Sequence, residues 1–196
     1  MVDFTNPEAA LDKLDSAKDS ETAFVIGTTG FTTSQHRSIR NYAQKIPILL
    51  SPNMSLGINT LFYLVKRVAE ILGNEYDAEI VEIHHNMKKD APSGTALQFG
   101  SVIAEARHVD LDDVAVYCRQ GQVGRRKEGE IGIMALRAAD IVGDHTVLFA
   151  GPGERIELIH RNSSRKTYAT GAVRAARFIV QKETGLFSMA DVLGLE

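Results

Sequence analysis

Residues 22–57 read TAFVIGTTGFTTSQHRSIRNYAQKIPILLSPNMSLG, and the fold class turns on this stretch. Thr22 to Ile26 is a compact run of strand formers that stops at Gly27-Thr28-Thr29-Gly30. A helical segment follows from about Thr33 to Gln44, then a second apolar strand, Ile46 to Leu50, ending at Ser51-Pro52-Asn53. Strand, helix and strand in that order make a βαβ unit, and such units build parallel sheets. Upstream, Val2 to Thr5 reads as the end of a short strand. Asn6 and Pro7 then suit the N-cap and first turn of a helix striped by Leu11 and Leu14. Phe4-Thr5, Gly27 to Gly30 and Ser51 to Ser55 all follow carboxyl ends of predicted strands. In open parallel sheets that edge is where ligands bind.

Downstream the period changes. Ile58, Leu61, Phe62, Leu64, Val65, Val68, Ile71 and Leu72 fit a well-buried helix closed by Gly73-Asn74. Ala78 to His85 reads as a strand, and Ser93 as the N-cap of a helix to about Arg107. The runs Val114 to Tyr117, Ile131 to Arg137, His145 to Phe149 and Arg155 to His160 read as a mixed or mostly antiparallel sheet. A last helix covers about Lys166 to Gln181. The expected architecture is α/β. Residues 1–56, joined by 166–196, form a partial Rossmann-like parallel sheet. Residues 57–165 form an α+β domain. Ile131, Ile133, Leu136, Val147 and Phe149 are expected to leave that second sheet with an exposed apolar face, which needs a partner.

Composition narrows the function. The chain has 196 residues, 44% hydrophobic and 24% charged, with a net charge of −3. That suits a globular protein and argues against nucleic acid as a partner. One cysteine, Cys118, excludes an internal disulfide and suits the cytoplasm. No apolar run approaches the ~18 residues of a membrane span. The N-terminus lacks the basic and apolar regions of a secretory signal.

The densest polar cluster runs from His84 to Thr95, HHNMKKDAPSGT. Backbone amides at Ser93, Gly94 and Thr95 open a helix and are expected to be free to hold a carboxylate or phosphate. Lys88 adds a positive charge, and a histidine can move a proton near neutral pH. Singly, each feature has a plainer reading as a cap or a solvated turn. Together they fit a small anionic substrate that is protonated. His84 and His85 are adjacent in a strand and point to opposite faces, which disfavours a shared metal. Arg125-Arg126-Lys127 reads as a solvated basic loop. His145 and His160 read as structural histidines, Met54 and Met134 as packing residues.

The string Glu79-Ile80-Val81-Glu82-Ile83-His84, then Lys88-Lys89-Asp90-Ala91-Pro92-Ser93-Gly94-Thr95-Ala96, resembles the signature of the dihydrodipicolinate reductase family. Gly27-Thr28-Thr29-Gly30, Pro52-Asn53-Met54-Ser55-Leu56-Gly57, Asp140 to Thr146 and Ser163-Ser164-Arg165 are similar to other segments of that family, so the likeness covers essentially the whole chain. It implies NADH- or NADPH-dependent reduction of a cyclic dicarboxylate in lysine and diaminopimelate biosynthesis, by a homotetramer. By the same resemblance His84 is the general acid and Lys88 its charged partner, while His85, Ser93, Gly94 and Thr95 hold carboxylates. Gly27, Thr28, Thr29, Ser51, Pro52, Asn53 and Met54 then face the cofactor, with Arg165 between the domains. The family's glycine-rich first strand and turn, which hold the pyrophosphate, have no counterpart here. The expectation is therefore weakened cofactor binding. The alternative is a catalytically silent oligomer that binds small dicarboxylates; a metal-dependent hydrolase built on His84 and His85 is the third reading.

Overall fold

The computed structural model describes residues 1–20 and 22–195. It has two compact units, Met1–Thr60 with the chain from Lys166 onward, and Leu61–Arg165.

The first unit is built on a four-stranded parallel sheet. Its strands are β1 (Val2–Asp3), β2 (Phe24–Ile26), β3 (Pro47–Leu50) and β9 (Gly185–Phe187), in spatial order β1-β2-β3-β9. Successive side chains of a strand point to opposite faces. Phe24 and Ile26 accordingly pack with Leu14, Ile39 and Ile48 on one side. Val25 packs with Leu49, Ala175, Ile179 and Met189 on the other. A strand buried on both faces needs helices on both. These are α1 (Pro7–Ala17) and α2 (Thr33–Ala43) on one side, α6 (Lys166–Ile179) and α7 (Met189–Leu193) on the other. Asn6 caps α1 by accepting from the Ala9 amide, and Thr32 and Gln35 close α2 with a reciprocal capping box. The sequence reading stopped at Gln181 and missed β9 and α7. Three and five residues are too few to show a period.

The second unit holds a mixed five-stranded sheet. Its strands are β4 (Asp77–His84), β5 (Ala115–Val116), β6 (Ile131–Arg137), β7 (Gly143–Gly151) and β8 (Glu154–Asn162), in order β5-β6-β4-β7-β8. β5, β6 and β4 run parallel, while β7 and β8 pair antiparallel. Helix α3 (Leu56–Leu72) leads in, followed by a 3-10 turn at Gly73–Glu75. Helix α4 (Gly94–Ala106) packs against β4 and β6, and α5 (Leu111–Val114) packs on α4. The Phe62 and Phe99 rings meet at 4.5 Å.

The register corrects the expectation about the apolar face. Ile131, Ile133, Val147 and Phe149 are fully buried and form the core. The outward residues are their neighbours one step along each strand. Ile83 pairs with Leu136, Val81 with Met134 and Thr146, and Thr146 with Ile159. Leu136 and Ile159 are 48% and 46% exposed. An apolar outer face exists, and Leu136 is the one of the five expected residues that lies on it. Arg126 also departs from its reading as solvated. It donates to Asp77 and Glu79 and to the carbonyls of Ala78 and Glu130, which ties the basic loop to the sheet.

Candidate functional site

The end of β4 places two polar side chains on the inner face of the mixed sheet. Glu82 and His84 are two residues apart, so both point the same way. Glu82 is fully buried and His84 is 8% exposed. His84 Nδ1 lies 2.6 Å from Glu82 Oε2. Arg137, at the end of β6, donates to both carboxylate oxygens, from Nη1 at 2.8 Å and Nη2 at 2.9 Å. The Ser93 amide donates to Oε1 at 3.0 Å. Burial by itself would raise the Glu82 carboxyl. The hydrogen bonds from Arg137, His84 and the Ser93 amide outweigh that and hold it below its ordinary range. Glu82 is therefore ionised and can only accept, so His84 donates from Nδ1, which leaves Nε2 as the other ring nitrogen. That nitrogen lies over Gly143, where an added β carbon would come within 2.8 Å of it.

His145 on β7 completes the inner wall. Its ring meets His84 edge-on at 5.3 Å, and Nε2 hydrogen-bonds Ser93 Oγ at 3.2 Å. Burial, helped by the neighbouring charge of His84, lowers the His145 pKa to about 3, so it is neutral near pH 7.

The loop from His85 to Pro92 carries the other candidates. His85 is half-buried and its Nε2 lies 3.4 Å from Arg165 Nη2. With Asn86, Ala139, Asp140 and Val142 they line an open pocket of about 430 Å³. Arg165 thus stands beside His85 in this unit's pocket. Lys88 is only 19% exposed at its side chain, pairs with Asp90 at 2.9 Å, and its charge is felt at His145. Ser93 corrects the expectation of a free amide. Glu82 occupies its N–H, and its hydroxyl serves the Ala96 amide and His145. Gly94 is exposed, with open space where a side chain would stand, and Thr95 is half-buried.

In the first unit, the carboxyl ends of β1, β2 and β3 bring the Gly27 and Ser51 loops side by side. Several candidates there shape the loops with their side chains. Thr28 is buried and donates to Asp3 Oδ1 at 2.8 Å; Ser51 is buried and donates to the Asn53 carbonyl at 2.9 Å. Asn53 Oδ1 accepts from the Ser55 amide, and the Met54 side chain is in the core. Thr29 and Pro52 are exposed. A half-exposed Phe4 ring lies directly on Gly27, where a β carbon would collide with it. This glycine lets the Phe4 ring lie against the backbone at the sheet's carboxyl edge.

Sequence reasoning missed Glu82, Arg137 and Gly143 as site residues and set His145 aside as structural. Glu82 had a local signal, since a glutamate two before a histidine in a strand shares its face. Arg137 and Gly143 had none, because strand pairing alone brings them to His84.

Comparison with known proteins gives consistent findings. Residues 1–54 match the family described as "Dihydrodipicolinate reductase, N-terminus", and residues 57–193 match "Dihydrodipicolinate reductase, C-terminus". The 4-hydroxy-tetrahydrodipicolinate reductase of Syntrophus aciditrophicus is 53% identical over 194 residues, covering 99% of this chain and 72% of that one. The enzyme of the same name from Ralstonia pickettii is 53% identical over 195 residues, covering 100% and 74%. A solved dipicolinate-bound dihydrodipicolinate reductase from Paenisporosarcina sp. TG-14 superposes with a TM-score of 0.72 at 26% identity, over 97% of this chain and 71% of that one.

Proposed function

The chain belongs to the dihydrodipicolinate reductase family, and from that premise we propose that it reduces a dihydrodipicolinate-type cyclic dicarboxylate to tetrahydrodipicolinate in lysine and diaminopimelate biosynthesis. NADH or NADPH, when bound, supplies the hydride. The Phe4 ring, Gly27, Thr29 and the Ser51–Met54 loop are the residues that would hold its nicotinamide end. The observation that carries the reading is His84 held through Nδ1 by Glu82, with Nε2 against Gly143, next along the chain from a pocket lined by His85, Val142 and Arg165.

In this reading His84 acts as the imidazolium: it takes a second proton from solvent at Nε2 and gives that proton to the substrate ring as negative charge develops there, returning to the Nδ1–H form, which lowers the barrier only if the donor is already aimed. Lys88 stabilises that charge. His85, Arg165 and the first turn of α4 at Gly94 and Thr95 receive the carboxylates, with the positive end of that helix behind them. Ser93 contributes by shaping the turn. A second copy of the chain covers the outer sheet face, in a homotetramer. A lone cysteine, exposed on its loop, suits the reducing cytoplasm; no helix among the described residues is long and apolar enough to cross a membrane.

The test is loss of NADPH absorbance with the authentic substrate, in wild type and His84→Gln. Turnover should fall roughly 10²–10⁴-fold, with substrate affinity changed less. An unchanged rate removes His84 from the mechanism. Binding of dicarboxylate with no oxidation of NADPH by wild type returns the protein to a silent binder.

A further inference from the structure

We propose that Glu82 is a positioning residue for the reduction: it fixes the tautomer and aim of His84 and anchors both ends of the loop that carries His85 and Lys88. The inference rests on the reading of His84 as proton donor.

The loop leaves β4 directly after His84 and re-enters regular structure at Ser93. Both of those residues donate to the same carboxylate, at 2.6 Å and 3.0 Å. Arg137 braces that carboxylate from both oxygens and also donates to the Asp90 carbonyl, within the loop, at 2.7 Å. Glu82 therefore joins three things that the reaction needs in register: the proton donor, the start of α4 and the intervening loop. Four donors surround an acceptor-only group, so its demand is one-sided. Neutral His84 must keep its proton on Nδ1, and any proton it exchanges with a ligand passes through Nε2.

Packing by itself does not account for the arrangement. A buried charge with its counter-charge is often matched or bettered by apolar residues of similar volume. What an apolar pair cannot do is orient an imidazole. Removing an outer partner that orients a working histidine costs about 10–100-fold where such partners have been measured at metal sites. The charged and titratable groups around the ring are Glu82 on β4, Arg137 on β6, His145 on β7 and Lys88 in the loop. Among these groups Glu82 is the one bonded to the ring.

Glu82→Gln tests this in the full chain. Its amide replaces one of the two accepting oxygens with an NH₂ donor, whichever way it is turned. The orientation that spares the Ser93 amide turns the NH₂ toward His84 Nδ1, which then has to accept. The tautomer is read by long-range ¹H–¹⁵N NMR of histidine-labelled protein above pH 8. Wild-type His84 should show the Nδ1–H form; Glu82→Gln should lose it. Its kcat should fall about 10–100-fold, while the affinity for pyridine-2,6-dicarboxylate changes less than threefold. Should Glu82→Gln fail to fold, as judged by its melt, Glu82→Gln with Arg137→Met removes both charges of the pair and is read the same way. An unchanged tautomer and kcat in a folded variant, with His84→Gln inactive, overturns the positioning role. Full activity of His84→Gln instead overturns the proton-donor reading and this inference with it. The Nδ1–H signal of wild type then separates a failed donor from a failed tether.

Discussion

Gly143 lies directly against Nε2 of His84: a β carbon at that position would approach Nε2 to 2.8 Å. The two residues meet because β7 pairs with β4 across the middle of the mixed sheet. The absence of a side chain at 143 is what leaves Nε2 room to work. Gly143→Ala should push the ring aside and lower kcat by roughly 10²-fold, the order of loss expected for about 1 Å of misplacement. The melt should stay cooperative, with a cost of about 1–3 kcal/mol for overpacking. Wild-type turnover in a folded Gly143→Ala protein would show that Nε2 is not the working nitrogen.

Lys88 is paired with Asp90 in the loop between β4 and α4. If its charge meets a ligand carboxylate, Lys88→Ala should weaken pyridine-2,6-dicarboxylate binding by about 10-fold, in line with about 1.5 kcal/mol for a hydrogen bond to a charged group. Thr95→Ala should weaken it less. Asp90→Ala is the informative control, since it frees the ammonium and should not reduce affinity. Calorimetry giving one affinity for wild type, Lys88→Ala and Thr95→Ala would remove both from the binding site.

His145 makes acid stability a test of the inner wall. Its folded-state pKa is about 3 against an ordinary 6.5. Between those values the unfolded chain binds a proton that the folded chain refuses. The stability it contributes is full above pH 6.5 and is lost as the pH falls toward 3. From about pH 5.5 to 4 the slope from this residue approaches about 1.4 kcal/mol per pH unit. Urea denaturation of His145→Asn should show a correspondingly flatter dependence in that range. Parallel pH profiles for the two proteins would mean that His145 takes up a proton in the folded state.

The outer sheet face offers a test of assembly. Leu136 and Ile159 stand exposed beside Val81, Ile83 and Met134. If a second copy covers them, Leu136→Lys buries an unpaired charge at the contact and should shift sedimentation toward smaller species. At low concentration its melting temperature should fall as well. Wild type sedimenting as a monomer would discard the assembly.

The sequence by itself determined the longer local elements, though not the short β9 and α7. The βα alternation of residues 22–57 is legible because strand and helix periods differ and glycine and proline punctuate them. The cap at Ser93 and the loop from His85 to Pro92 are legible because they lie within one continuous segment. Period two also tells which residues of a strand share a face, so Ile131 with Ile133 and Val147 with Phe149 could be grouped in advance. It does not tell which face is covered. Only the seat of α4 on β4 and β6 decided that those residues form the core and that Leu136 faces out. Tertiary structure also decided the fate of polar groups far apart in the chain. Arg137 is 55 residues from Glu82 and His145 is 52 from Ser93. Nothing in their local sequence marks them as partners. The Ser93 amide, free by any local reading of a helix start, is occupied for the same reason. A buried carboxylate must find donors, and which donors reach it is settled by how the strands pair.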